Sequence, residues 1–545
     1  IKPATLDVQI TTSSQVEAAV SLMALNPFNV LKGAAFGADV AQGQADLAGH
    51  LSVPLIQGIQ MEDVDFNITG DITGASSSQL MAGKVLTSAR MALALTPSGL
   101  SLSGPVDVAG GQAVAVWRKG FGPENRGKSD ISGSVTINQA LLDAFDIDLP
   151  ANTISGRAQG DLTVALRKGK DPAFGITSKM KGLGLSVPAI GFSKAQNRSG
   201  TFNVTGTAGQ RPTITSLSVE TQGLSATGGS VVLTTAGALD RLRFDTLKVG
   251  TWLDSSATLT GRGAGRPVGV KLDGGTLDLA RAPFGANDGS RGSAASNTSG
   301  PIDLALDRLK VTDTLALHGV KAQLSQNGDL SGKFSGRLNG QAPITGTVRP
   351  GPYGPTISVT AQDAGKTVMA AKLLEKASGG TLALTLTSLP GKNSFDGAVR
   401  IKDMRVQSAP ELAELLSLVS VVGLIDQLSG PGIAFGDIRS DFTLEPGRIT
   451  IGTSSAEGPS LGITGEGVYL TDSKQIDLEG VISPIYFLNG IGQVFSRKGE
   501  GLFGFNFSLK GAIDNPSVGV NPLSILTPGA LRGIFRQKPS AVPAN

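Results

Sequence analysis

His50 and His318 are the two side chains able to act as imidazole bases or metal ligands, and each stands alone in a strand-like alternation. With no cysteine in 545 residues, they form no zinc-ligand spacing. Gly458-Pro459-Ser460-Leu461-Gly462 matches the G-x-S-x-G nucleophile pattern, yet Leu461, Ile463 and the segment from Gly465 to Gly467 continue as strand, where a nucleophile elbow needs a helix. Gly499-Glu500-Gly501-Leu502-Phe503-Gly504 satisfies G-x-G-x-x-G but opens a strand, so it reads as a glycine turn and not a dinucleotide site. Asp143, Asp146 and Asp148 follow a short helix, where carboxylates close Asx turns; the D-x-D-x-D-G order of a calcium loop is missing. The expectation is therefore a protein that is not an enzyme and that uses no metal and no cofactor.

Composition narrows the class further. Charged residues make up 17% of the chain, against ~25% in average soluble domains, and the formal net charge is only +3. Lys and Arg form no stripe, and Trp117 and Trp252 are isolated, so no nucleic acid is expected as a partner. The absence of cysteine fits an oxidising compartment. The longest apolar stretch, Leu412 to Leu428, is interrupted by Glu414, Ser417, Ser420, Gly423 and Asp426 and falls short of a membrane span. Since the chain opens on Ile1 without a Met or a signal peptide, an anchor in a missing N-terminal part is expected.

What positions these residues is a two-residue beat. Phe503, Phe505, Phe507 and Leu509 point one way, and Gly504, Asn506, Ser508 and Lys510 point to a wet face. Ile302, Leu304 and Leu306, then Leu315 and Leu317, then Val320, Ala322 and Leu324 repeat it, as do Ile476 and Leu478. Asn327-Gly328 and Asn339-Gly340 are hairpin signals, because both turn residues take positive φ readily. Short turns make antiparallel neighbours, so the expected fold is mainly β: a long, twisted antiparallel sheet curled into an elongated hydrophobic groove, with a few short helices and a C-terminal capping helix.

The helical pieces are few. Ser14 to Leu25 and Pro27 to Lys32 read as two short helices, making 1–44 a helical opening segment. Thr136 to Phe145 reads as a third. A capping box at Ser408-Ala409-Pro410-Glu411 begins a helix over 409–428 whose Leu412, Leu415, Leu416, Val419 and Val422 form one face. Leu418, Val421, Leu424, Ile425 and Leu428 broaden that face, so the helix is expected to plug or cap the end of a sheet, with insertion into a membrane surface as the other reading. Thr527 can cap a last helix in which Leu531, Ile534 and Phe535 are flanked by Arg532 and Arg536, either touching a lipid surface or docked on its own sheet. The expected parts are a groove over 45–281, a flexible loop over 282–300, a middle groove over 301–397, a C-terminal region over 398–536 and a disordered tail over 537–545.

The closing region resembles the C-terminal region of the AsmA-like family. The resemblance rests on Val406-Gln407-Ser408-Ala409-Pro410 leading into Leu415-Leu416-Ser417, on Gly423-Leu424-Ile425-Asp426, on Gly432-Ile433-Ala434-Phe435, and on Ile476-Asp477-Leu478-Glu479-Gly480. Asp514-Asn515-Pro516 before Asn521-Pro522-Leu523-Ser524 adds to it, and Thr527-Pro528-Gly529-Ala530-Leu531-Arg532-Gly533-Ile534-Phe535 is its most specific element. The resemblance implies a periplasmic protein of Gram-negative bacteria, held in the inner membrane by an N-terminal helix, whose groove carries phospholipid toward the outer membrane. Its partners would be phospholipids, both membrane surfaces and envelope proteins at each end; it carries over no catalytic positions.

Physically, a half-apolar sheet of this size needs cover, and each buried CH₂ of an acyl chain contributes ~0.8 kcal/mol. The groove candidates are Leu304, Leu306, Leu315, Leu317, Leu324, Ile476, Leu478, Phe503, Phe505, Phe507 and Leu509. Two other readings stay open from sequence: a β-solenoid adhesin or passenger domain, and a scaffold assisting outer-membrane protein assembly.

Overall fold

Thr5 to Gln15 alternates Leu6, Val8 and Ile10 with Asp7, Gln9 and Thr11. In the computed structural model this segment is a strand, which corrects the first part of the expected helical opening; the helix expected over Ser14 to Leu25 forms over Val16–Met23, and Pro27 to Lys32 lies outside the described residues. The structure describes residues 4–524 apart from 24–36, 60–62, 82, 148, 150–151, 188–189, 210–212, 235–237, 264–265, 284–297, 328, 391–393, 408, 420–421, 485–503, 514 and 522. A 29-stranded sheet, not closed into a barrel, makes up most of it. Backbone contacts divide the chain into two compact units, Ile1–Gly250 with Ser256–Ala264 and Thr251–Ser255 with Gly265–Asn545, so the division does not fall at 282–300 or at 398.

The first unit runs β1 (Thr5–Gln15), α1 (Val16–Met23), β2 (Gln42–Pro54), β3 (Asp65–Ser77), β4 (Leu86–Thr96), β5 (Gly99–Val108), β6 (Gly111–Gly120) and β7 (Lys128–Ile137). It continues with α2 (Gln139–Ala144), β8 (Ile154–Gly156), β9 (Ala158–Arg167), β10 (Ala173–Ser178), β11 (Leu183–Val187), β12 (Phe192–Lys194), β13 (Gly200–Thr207), β14 (Thr213–Thr221), β15 (Leu224–Leu233) and β16 (Leu239–Val249). Ser14, expected as a helix cap, is the strand partner of Ala45. The helix expected over Thr136 to Phe145 is only α2, because Asn138 caps it by accepting from the Leu141 N–H at 2.9 Å, while Thr136 and Ile137 belong to β7. Here β8, β11 and β12 form a small separate sheet. Lys194 is buried there, its ammonium donating to the carbonyls of Met180 at 2.8 Å and Leu183 at 2.6 Å. Desolvation pushes that ammonium below the usual lysine range.

β17 (Leu253–Thr260) is divided in sequence, Leu253 to Ser255 counting with the second unit and Ser256 to Thr260 with the first. The second unit holds β18 (Gly269–Asp278), β19 (Thr298–Lys310), β20 (Ala316–Asn327), β21 (Asp329–Leu338), β22 (Ala342–Gly351), β23 (Gly354–Ala361), α3 (Ala364–Ala370), β24 (Lys376–Ser378), β25 (Thr381–Ser388) and β26 (Phe395–Gln407). After α4 (Pro410–Leu418) and α5 (Val422–Ser429) come β27 (Ile433–Glu445), β28 (Arg448–Glu457), β29 (Leu461–Leu470), β30 (Gln475–Pro484), β31 (Phe505–Ala512) and β32 (Ser517–Asn521). Hairpin pairing dominates. At the expected turn, Asn339 and Gly340 take φ of 46° and 78°. The Asn339 amide also holds its surroundings, accepting from Ala316 N–H at 2.9 Å and donating to the Ala370 carbonyl at 2.7 Å.

Three departures from the expected fold are physical. First, β18 and β19 pair in parallel, Val270 beside Ile302 and Leu272 beside Leu304, so the sheet is mixed. Second, the helix over 409–428 is two helices: Val419 leaves helical geometry at φ −94°, ψ 8°, in the run Val419-Ser420-Val421-Val422-Gly423, whose residues favour helix weakly. Ser408 lies outside the described residues, and Ala409 occupies the cap position without a side-chain bond. Third, the two-residue beat is not continuous along every strand. Gly319 at φ 59° accompanies a register shift between His318 and Lys321, so that Leu317 and Val320, an odd and an even position, are both buried. Asp403 at φ 56° lies between Ile401 and Met404, again an odd and an even position that are both buried, here without a register shift against β27.

Candidate functional site

Cross-strand partners share a face, so the ladder registers show where the apolar side chains go. In the second unit, Leu304 lies opposite Ala322, which lies opposite Phe334, then Gly346, then Val359, then Leu384, then Val399. Two positions along, Gly397 faces Phe442, which faces Ile451, then Gly467, then Leu478, then Leu509, then Val518. One apolar face therefore passes from strand to strand between β18 and β32. On the other face the same ladders bring together Lys333 with Thr347, Ser358 with Thr385, and Ala398 with Asp441.

Three of the rings on this face sit on glycine. Phe334, Phe442 and Phe507 are the register partners of Gly346, Gly397 and Gly480, and a Cβ on any of these glycines would collide with the opposite ring. The first unit repeats the device, with Phe174 over Gly206 and Phe244 beside Gly229. Each ring lies along the sheet instead of standing out from it, and it shields a backbone that has no side chain of its own.

The apolar face of the second unit has two kinds of surroundings. Toward one end of the strands, α4 and α5 pack on it: Leu415, Leu416, Val419, Leu424 and Leu428 form one cluster with Ile401, Met404, Ile433, Phe435, Leu461, Ile482 and Phe507. Leu416, Leu461 and Ile482 are 0% exposed. Elsewhere Leu384, Leu386, Phe395, Phe442, Leu444, Ile449, Ile451, Tyr469, Ile476 and Leu478 remain half-buried.

This geometry sorts the expected residues. Ile476, Leu478, Phe505, Phe507 and Leu509 do share one face, but Phe507 is covered by protein, and Phe505 and Leu509 pack against the same cluster. Leu304 and Leu324 are half-buried, Leu306 and Leu317 are buried, and Leu315 lies in the turn before β20. Of the helix face, Leu412 is half-buried and Leu415, Leu416 and Val419 are buried, whereas Leu418, expected to broaden it, is 51% exposed. The side chain of Val422, Phe503, and the tail residues Leu531, Arg532, Ile534, Phe535 and Arg536 lie outside the described residues, as do Asp148 and 537–545. Asn506 is expected on a wet face, yet its side-chain amide atoms are shielded and have no hydrogen-bond partner among the described residues, and Val481 and Ser483 on that face are 1% and 0% exposed.

The first unit has its own continuous apolar face: Val8 to Leu51 to Phe66, and Gly70 to Leu93 to Leu102 to Trp117 to Ile131 to Val164 to Phe174. Val16, Phe66, Leu93, Leu95 and Leu100 are its buried centre. On the opposite side, Thr87, Asp107, Gln112, Ser134, Thr136 and Gln159 line a shallow hollow of about 530 Å³. With one carboxylate and no imidazole, it holds no acid–base pair.

Charges on the polar face are used in pairs. Arg400 stands opposite Arg439, a repulsive register that Asp437 relieves by accepting from Arg400 Nε at 2.8 Å and Arg439 Nε at 2.7 Å. The Arg400 hydrogen bond is the main cause holding the Asp437 carboxyl below its ordinary range. Asp71 is lowered likewise by the paired bonds from Arg90, both 2.8 Å. His50 lies between Gln9 and Asn67, and His318 between Arg308 and Arg337; among the described residues no cluster could hold a metal ion. Gly458-Pro459-Ser460 leads directly into β29, with Gly458 N–H on the Leu461 carbonyl at 2.9 Å, so no elbow forms. Of the G-x-G-x-x-G segment only Gly504 is described, and β31 follows it. Asp146 is paired with Lys84 at 2.6 Å. No helix among the described residues is long and apolar enough to cross a membrane. Set beside protein-family models, curated proteins and solved structures, the chain matches none of the three.

Proposed function

We propose that the apolar sheet faces bind the acyl chains of phospholipids and let them slide, and that the protein thereby passes phospholipid between the inner and outer membranes of a Gram-negative envelope. One observation carries this reading: apolar positions follow one another in register from β18 to β32, with the strip from Leu384 through Phe442 and Ile451 to Leu478 only half-buried. Seating one methylene there stabilises by ~0.8 kcal/mol, and successive methylenes gain alike, so a chain is held along its length and by no single pocket.

The reading also corrects where cargo belongs. Phe507, a natural first choice for the groove floor, is occupied by α4 and α5; the strip is the place for acyl chains. A photo-crosslinking residue introduced at Leu384, Phe442 or Ile451 in cells should capture phospholipid, and one at the exposed Thr385 or Asp441 should not. Equal capture on both faces, or none at any apolar position, rejects the proposal.

A further inference from the structure

Asp437 shows how this sheet handles a repulsive register, setting one carboxylate between Arg400 and Arg439. A second such row has no carboxylate. From β18 to β22 one ladder row reads Thr276, Arg308, His318, Arg337 and Pro343. Like charges directly opposite destabilise a strand pair, and among the described residues none of the three basic side chains has a hydrogen-bond or ion-pair partner. Acids beside the row are engaged elsewhere: Asp307 accepts from the Gly275 N–H at 2.7 Å, and Lys310 holds Asp313 at 2.7 Å and Asp278 at 3.4 Å.

The bulge in β20 builds this row. If the pairing of Lys321 with Ser335 ran on unbroken, Leu338 would face His318; the shift at Gly319, with φ of 59°, sets Arg337 there instead. Bulges often re-aim side chains in this way beside sites. The Asn339-Gly340 turn then closes on the imidazole, since a Cβ on Gly340 would lie 3.9 Å from the His318 ring. Asn339 pins that turn by donating to the carbonyls of Thr314 at 3.0 Å and Ala370 at 2.7 Å. Arg308 and Arg337 stay exposed on either side of the half-buried His318.

We propose that Arg308, His318 and Arg337 form a phosphate-binding site. The two guanidiniums rise from strands two spacings apart, about 10 Å, and converge on an anion seated over the imidazole. A carboxylate has two oxygens, enough for the two arginines that Asp437 serves. Three donors spread over three strands fit a tetrahedral anion with more acceptor oxygens, and arginine forks match phosphate geometry. The phosphate is a free ion, a small ester or a phospholipid headgroup, all of which present the same oxygens. The site stands on this geometry and does not depend on the lipid-carrier reading.

The test uses the whole chain, whose two histidines give two NMR signals after histidine-selective labelling at Cε1, assigned by His50→Gln. At constant pH, inorganic phosphate should shift the His318 signal to saturation and leave that of His50, which lies between Gln9 and Asn67, in place. Sodium chloride at matched ionic strength should shift neither. Glycerophosphoglycerol, a phosphodiester headgroup without acyl chains, separates the sources: tighter binding than inorganic phosphate assigns the site to lipid headgroups, and the reverse order to free phosphate or a monoester. Arg308→Gln and Arg337→Gln should each weaken binding about tenfold, while thermal unfolding in phosphate-free buffer stays unchanged or rises, because each variant removes a repulsion. A purely structural row would lose stability in both variants. Equal shifts at the two histidines, a shift reproduced by chloride, no shift with either phosphate compound, or unchanged affinity in both variants overturns the site.

Discussion

Phe442 and Phe507 hold equivalent places in the ladder, each on the apolar face and each over a cross-strand glycine. Phe507 is 8% exposed beneath the helix pair, while Phe442 remains half-buried. The local sequence around each is the same kind of alternation, so what separates a buried core position from a half-open one here is what the rest of the chain lays over it. A protein can build one continuous amphipathic sheet and then assign parts of it to its own helices and parts to a ligand.

The largest effect expected from that contrast is at Leu416, which is fully buried between α4 and the sheet: Leu416→Ala should cost about 2–5 kcal/mol in denaturant unfolding, far more than Leu418→Ala on the exposed side of the same helix. Equal losses would show that the helices do not rest on the face. Next comes Gly397→Val, which drives a side chain into the Phe442 ring and should cost about 1–3 kcal/mol. Adding Phe442→Ala should recover part of that loss, and a double-mutant cycle reads the coupling. Smaller again in stability, but larger in function, are Ile451→Lys and Leu478→Lys on the half-buried strip. Each should lower phospholipid capture severalfold while shifting stability by less than Phe507→Lys does. The smallest effect concerns Asp437. Because its carboxyl is held below its ordinary range, its contribution is present above the unfolded-state pKa and lost as pH falls through the folded value. Asp437→Asn should flatten that acid-side decline in a pH series of unfolding curves.

Much of the fold is legible in the sequence where interactions are local. Asn339-Gly340 announces its hairpin because two positive φ angles are needed side by side, and the beat from Ile476 to Leu509 fixes a face. At the N-terminus the same beat runs through Leu6, Val8 and Ile10, and the helix expected from Ser14 forms only from Val16, because pairing with β2 keeps Ser14 and Gln15 in the strand. Nonlocal features leave no such mark. Asp403 takes a left-handed φ that nothing in Lys402-Asp403-Met404 signals, so a strict two-residue count assigns half of β26 to the wrong parity. The parallel pairing of β18 with β19 depends on a connection through 279–297, and the cover over Phe507 depends on helices roughly 90 residues away in sequence. The candidate site was thus legible as a face and not as a boundary.

The rings that lie down on glycine have a mechanical consequence. A phenyl group standing upright on a sheet is an obstacle that a long flexible molecule must climb or detour around. With Phe334 and Phe442 folded onto Gly346 and Gly397, the largest side chains become paving, and the surface between them has low corrugation. On the lipid-carrier reading, movement over such a floor would proceed by many small, similar steps, its rate governed by friction along the contact and not by one high barrier. Gly346→Ala and Gly397→Ala, which force the rings upright, would turn a smooth track into a rough one without altering its hydrophobicity.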